Sequence, residues 1–187
     1  MRRLFLGLMV MMAINSSDAQ TINSAMEQNP VLKTIMERRS IRKYMDKPVE
    51  HEKLEILAMA GINAPSSHNG QQWQVRVIED KKLMAEYKSM FYDAPNVICI
   101  CTPKENSEYN AGLLSENIMI AAQSMGLGTV CLAASVRLIN SDAQYKSFLD
   151  RLEISEDYKL SYVIAVGYPA EQPQAKPRDV SKVKFIK

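Results

Sequence analysis

The chain has 187 residues, 47% of them hydrophobic and 24% charged, with 23 Lys+Arg against 21 Asp+Glu for a net charge of +2. That length and composition suit one globular domain, and so even a charge balance lacks the basic footprint of a nucleic-acid binder. Two histidines, far from any cysteine pair, offer no metal site. The three cysteines, Cys99, Cys101 and Cys131, stand inside apolar runs and read as core thiols instead of a disulfide framework.

In chain order, residues 1–19 form a different object from the rest. Arg2 and Arg3 precede an apolar run from Leu4 to Ile14, and Ser17-Asp18-Ala19 offers small residues at the two positions a signal peptidase reads. This predicts a secretory signal at 1–19, cleaved after Ala19, too short to span a membrane. The mature domain is then 20–187, exported to the periplasm, or cytoplasmic if the signal is not used. It keeps no stable membrane anchor. Asn29-Pro30 can start a first helix, with Val31, Leu32, Ile35 and Met36 as its apolar positions. This helix delivers Arg38, Arg39, Arg42 and Lys43, four cations among six residues with no carboxylate between them. Such a knot suits an anionic ligand, since arginine forks match phosphate or a ring carbonyl; the bland alternative is a solvated basic turn.

A second helix is expected over 50–61, with Leu54, Leu57, Ala58 and Gly61 on one face. Residues 64–72 form a loop rich in turn formers and amides, followed by an alternating strand from Trp73 to Ile78 and a short helix over 81–90. Residues 94–101 are almost continuously apolar, which suits a strand buried on both faces. The longest helix is expected over 108–125, stopped by Gly126-Leu127-Gly128. A short strand over 129–134, an amphipathic helix over 141–152 and a core strand over 160–166 complete the pattern. The fold class is α+β, a sandwich whose central mixed or antiparallel sheet is flanked by helices.

Three separated stretches could meet on one ligand. They are the cations at 38–43, the hydroxyl- and amide-rich Pro65-Ser66-Ser67-His68-Asn69-Gly70-Gln71, and Lys176-Pro177-Arg178 in a basic tail. The loop can hydrogen-bond a polar heterocycle along its edge, and two clusters of fixed cations suit a phosphate plus a second electron-rich group. Gly126-Leu127-Gly128-Thr129 lacks the lysine and spacing of a phosphate loop.

Taken in order, Arg38-Arg39-Ser40-Ile41-Arg42-Lys43-Tyr44, Ala64 to Trp73, Gly126-Leu127-Gly128-Thr129, Gly167-Tyr168-Pro169 and Lys176-Pro177-Arg178 resemble the FMN-dependent nitroreductase family. The resemblance implies a nitroreductase-like, intertwined homodimer with one FMN at each end of its interface. By position, Arg38, Arg39, Ser40 and Arg42 would contact the flavin, Arg38 at the phosphate and ribityl chain and Arg42 at the pyrimidine edge. Lys176 and Arg178 would complete the phosphate site. Pro65, Ser66, Ser67, Asn69 and Gln71 would reach the flavin from the partner subunit, and Leu132, Ala133 and Ala134 would lie along the ring.

The resemblance further implies NADH or NADPH as electron donor and a ping-pong reduction of a nitroaromatic, quinone or similar small acceptor. No side-chain catalyst is needed, because the flavin carries the chemistry. Two departures stand out: Gln72 where the family usually has proline, and Cys131-Leu132-Ala133-Ala134 where it usually has Trp-Ile-Gly. Two further readings are a specialised flavin enzyme of the same fold, either a reductive dehalogenase or a flavin-fragmenting enzyme, and a non-catalytic FMN-binding protein.

Overall fold

The computed structural model describes residues 24–105 and 108–186; the expected signal segment lies outside them. The described chain divides into two compact units: residues 38–173, and the residues before 38 grouped with those from 174 onward. Among the described residues no helix is long and apolar enough to cross a membrane.

In the smaller unit, α1 spans Pro30–Glu37. Its start is set by proline at the first helical position and by the Asn29 side chain, which accepts from the N–H groups of Val31 and Leu32 at 3.0 and 3.2 Å. None of its residues is buried. Its apolar stripe of Val31, Leu32, Ile35 and Met36 is exposed, as are Val183, Phe185 and Ile186 in the tail.

The larger unit is built on a four-stranded sheet of order β1-β2-β4-β3, with β1 Gln74–Ile78, β2 Asn96–Pro103, β3 Gly128–Cys131 and β4 Tyr158–Gly167. Every pairing is antiparallel, with Ile98 opposite Ile164 at the centre. The helices are α2 His51–Ile62, α3 Lys81–Tyr87, α4 Glu108–Ser124, α5 Ala133–Ser141 and α6 Lys146–Arg151.

The apolar run expected at 94–101 is buried on both faces, and strand alternation explains why. Val97, Cys99 and Cys101 enter one core with Leu83, Phe91, Ile139 and Phe148. Ile98 and Ile100 enter the other with Leu54, Leu57, Leu114 and Ile118. On that second side α2 and α4 approach so closely that a Cβ on Gly61 would stand 2.8 Å from Ile118 Cγ1.

Two expectations need correction. The strand expected over 129–134 ends at Cys131, and Ala133 already opens α5. Leu132 turns the chain there, its N–H still donating to Val163 at 2.9 Å while its carbonyl accepts from Val136 at 3.1 Å. The single helix expected over 141–152 is a short 3-10 turn at Ala143–Tyr145 followed by α6. Asp142 causes the break, its side chain capping Gln144 N–H at 3.0 Å.

The turn after β4 is tied to the start of α2. Tyr168 donates its hydroxyl to Glu50 at 2.6 Å and accepts from Lys53 at 2.6 Å, while the Lys47 ammonium lies 3.9 Å from its ring centroid. The Tyr168 hydroxyl first, and the backbone and Lys47 after it, hold the Glu50 carboxyl down at about 2. A depressed carboxyl stabilises the fold above its ordinary value of 4.5 and loses that contribution as pH falls toward 2. Tyr168→Phe should therefore lower the melting temperature most at neutral pH, and the gap to the native protein should close on acidification. A gap that stays constant from pH 7 to pH 2 would show that the pair has no such role.

Candidate functional site

The cationic stretch is an extended ribbon, not a turn. Ile41 N–H donates to Thr129 of β3 at 2.9 Å, Met45 N–H to Tyr168 at 2.9 Å, and Ala170 N–H to Lys43 at 2.9 Å. Two glycines let it lie this close: a Cβ on Gly128 would stand 2.6 Å from Ile41 Cγ1, and one on Gly167 would stand 2.9 Å from Tyr44 Cδ1. Gly128 and Gly167 thus serve packing. Ile41 is buried, which by alternation turns Arg42 outward; Arg42 and Lys43 are both exposed. Tyr44 locks the ribbon by donating its hydroxyl to Ile41 carbonyl at 2.7 Å. Burial, reinforced by Glu171, pushes its phenol far above the ordinary value, so it stays a donor.

One of the cations, Arg38, has a carboxylate partner distant in sequence, contrary to the wholly isolated knot expected from the sequence. Arg38 Nε lies 3.7 Å from Glu116 Oε1 on α4. Glu171 accepts from the backbone N–H groups of Arg42 and Lys43. The Arg39 guanidinium donates to Arg38 carbonyl at 2.7 Å. Ser40 is half-buried and bridges to Thr129. The Arg42 guanidinium, in contrast, reaches over the Tyr92 ring, 5.9 Å from its centroid.

Arg42 and Tyr92 share an open cavity of about 360 Å³ with Met90, Cys131, Leu132 and the first residues of α5. Among the described residues Arg42 is the only formally charged one lining it, and no carboxylate does. The first turn of α5 forms one wall, and a helix's first turn carries N–H groups without intrahelical partners. Ser135 is fixed there, its hydroxyl donating to Met90 carbonyl at 2.8 Å. Burial pushes the Cys131 thiol up to about 11, so it stays a neutral thiol at physiological pH. A cation, helix-end amides and apolar side chains around one space suit a flat ring with a polar, electron-rich edge. A larger depression of about 510 Å³ beyond α5, lined by Arg137, Asn140, Lys159 and Ser161 among others, contains none of the residues the sequence singled out.

Of the residues expected in the site, Arg42, Leu132, Ala133 and Ala134 meet at this cavity; Arg38, Arg39 and Ser40 lie beside it in the chain but do not line it. Pro65, Ser66, Ser67, Asn69 and Gln71 form a separate surface loop, self-supported by Gln71 N–H donating to Ser66 Oγ at 3.0 Å and Gln71 Nε2 donating to Asn69 at 3.3 Å. Asn69 and Gln71 hold φ of 53° and 47°, a left-handed conformation that asparagine tolerates better than most residues and glutamine does not. Lys176 and Arg178 are exposed in the smaller unit. Sequence reasoning missed Ser89, Met90 and Tyr92, which carry no motif, and Glu171, which is 129 positions from Arg42.

The family model described as "Putative TM nitroreductase" matches residues 30–187. The chain belongs to the nitroreductase family. Among curated relatives, this nitroreductase is similar to the "Putative NADH dehydrogenase/NAD(P)H nitroreductase" of Archaeoglobus fulgidus, 29% identical over 75% of this chain and 86% of that protein. It is also similar to the NAD(P)H-dependent FMN reductase of Bacillus subtilis, 27% identical over 80% of this chain and 70% of that protein. A solved nitroreductase with bound FMN from Bacteroides fragilis superposes with a TM-score of 0.78 at 21% identity, covering 86% of this chain and 100% of that one. That last likeness shows the fold: the α+β sheet and its flanking helices are those of nitroreductases.

Proposed function

We propose that this nitroreductase is an FMN-dependent enzyme that takes electrons from NADH or NADPH and reduces small electron-poor acceptors such as nitroaromatics or quinones. The observation that carries this reading is the cavity in which Arg42, among the described residues, stands as the lone charge against the first turn of α5. Those donors fit FMN, whose ring has a carbonyl-rich edge and whose phosphate is anionic. Bound FMN supplies the electron-transfer chemistry.

The chain's own residues bind and orient. Arg42 would donate to the ring's carbonyl edge, where its fixed positive charge would favour added negative charge. Leu132, Ala133 and Ala134, which line the cavity, would lie along the ring. Arg38, Arg39 and Ser40 would hold the ribityl chain and phosphate; Lys176 and Arg178, in the smaller unit, are proposed as phosphate ligands on the sequence resemblance alone. Pro65, Ser66, Ser67, Asn69 and Gln71 serve the flavin of a second copy in a homodimer. The exposed apolar stripe of α1, together with Ile56, Met59 and Ile62 on α2, supports that dimer, because isolated monomers rarely leave so much apolar surface open. Export through residues 1–19 belongs to the same reading, and a periplasmic form beginning at Gln20 would support it.

Steady-state kinetics test the proposal. With FMN-loaded protein, double-reciprocal plots against donor at several nitroaromatic or quinone concentrations should be parallel, as expected when donor and acceptor take turns in one pocket. Intersecting lines, or no donor oxidation with any such acceptor, would contradict it.

A further inference from the structure

Tyr92 stands out because nothing in the sequence motifs touches it. It follows Phe91, which is fully buried. Tyr92 and Asp93 are consecutive non-glycine residues at φ 56° and 54°. Left-handed backbone is costly for such residues and persists only where the surroundings over-determine it. Here Asp93 N–H donates to Lys88 carbonyl at 2.9 Å and Ala94 N–H to Phe91 carbonyl at 3.1 Å. The strained turn is therefore pinned on both sides, and it presents the Tyr92 ring, 44% exposed, at the cavity wall.

The ring's neighbour is the Arg42 guanidinium, 5.9 Å from its centroid. The nearby carboxylate of Glu171 accepts from backbone N–H groups of the ribbon. Among the described residues the ring is therefore the group that faces the arginine head. A planar guanidinium over an aromatic face is attracted by the ring quadrupole and loses the freedom a long side chain otherwise keeps.

We propose that Tyr92 is a positioning residue that holds the Arg42 guanidinium in the orientation needed to receive the flavin ring's polar edge. The proposal rests on assigning this cavity to FMN, and its test separates the two. FMN fluorescence quenching on titration into flavin-free protein gives Kd for the native chain, Tyr92→Ala, Tyr92→Phe, Arg42→Ala and the Tyr92→Ala/Arg42→Ala double variant.

Tyr92→Ala should raise Kd by about 3–5-fold, the scale of a partly exposed cation–π contact. Tyr92→Phe, which keeps the ring, should restore binding. Arg42→Ala should raise Kd by roughly tenfold or more, and adding Tyr92→Ala to it should change nothing further, since Tyr92 acts through Arg42. Should Tyr92→Ala have no effect, or the same effect in both backgrounds, the positioning role is overturned while the FMN site stands. If Arg42→Ala leaves Kd unchanged, the assignment of the cavity to FMN is itself overturned.

Discussion

Gly128→Val should unfold much of the larger unit's cavity face and cost roughly 3 kcal/mol of stability, the upper range for overpacking a tight site. The first added carbon alone would stand 2.6, 2.8 and 3.0 Å from three atoms of Ile41, which is itself buried. Valine prefers strands, but that preference spans only about 1 kcal/mol and acts in the opposite direction. Steric overlap therefore wins. The ribbon over 38–44 must move off β3, taking Arg42 away from the cavity, so cofactor retention should fall together with the urea midpoint. Gly126→Ala is the control. Its φ of 74° makes a side chain strained, yet a Cβ there meets nothing within 4 Å, so only about 1 kcal/mol of backbone cost is expected. Equal losses in the two variants would sink the close-packing explanation of Gly128.

The second large effect is on binding alone. Arg38→Ala combined with Arg42→Ala should raise the Kd for FMN by about 10²–10⁴-fold, since each charged hydrogen bond contributes about 1.5–3 kcal/mol. Stability should barely change. The Arg38–Glu116 pair has a half-exposed carboxylate, and such pairs contribute at most about 1 kcal/mol. Arg42 meets Glu171 through its backbone N–H, which alanine keeps. Isothermal titration and thermal melting on the same preparation separate the two quantities. A double variant that melts normally and still copurifies with FMN would remove these arginines from the site.

How much of this was legible in the sequence depends on how local the signal is. The run from Val97 to Cys101 declared a doubly buried strand because both of its faces meet apolar cores. The switch from strand to helix at Leu132 was not legible. Thr129 to Ala134 is a short apolar run of a kind that periodicity cannot assign, and the break depends on Val163, which is distant in sequence. The cationic ribbon announced a ligand by its composition, and Arg42 does reach the cavity. Its carboxylate contacts, Glu116 on the Arg38 guanidinium and Glu171 on the ribbon's backbone N–H groups, come from far along the chain, so the ribbon looked more isolated than it is. Tyr92 was invisible for a related reason: its importance lies in a backbone conformation and a neighbour 50 positions away in sequence.

FMN held against Arg42 would carry this nitroreductase's electron transfer. The most direct measurement is the visible spectrum of the purified protein under anaerobic conditions. A yellow protein is predicted, with about one flavin per chain, bleached by NADH or NADPH and restored by a nitroaromatic or a quinone. A colourless protein that gains no bound flavin when FMN is added would contradict the account.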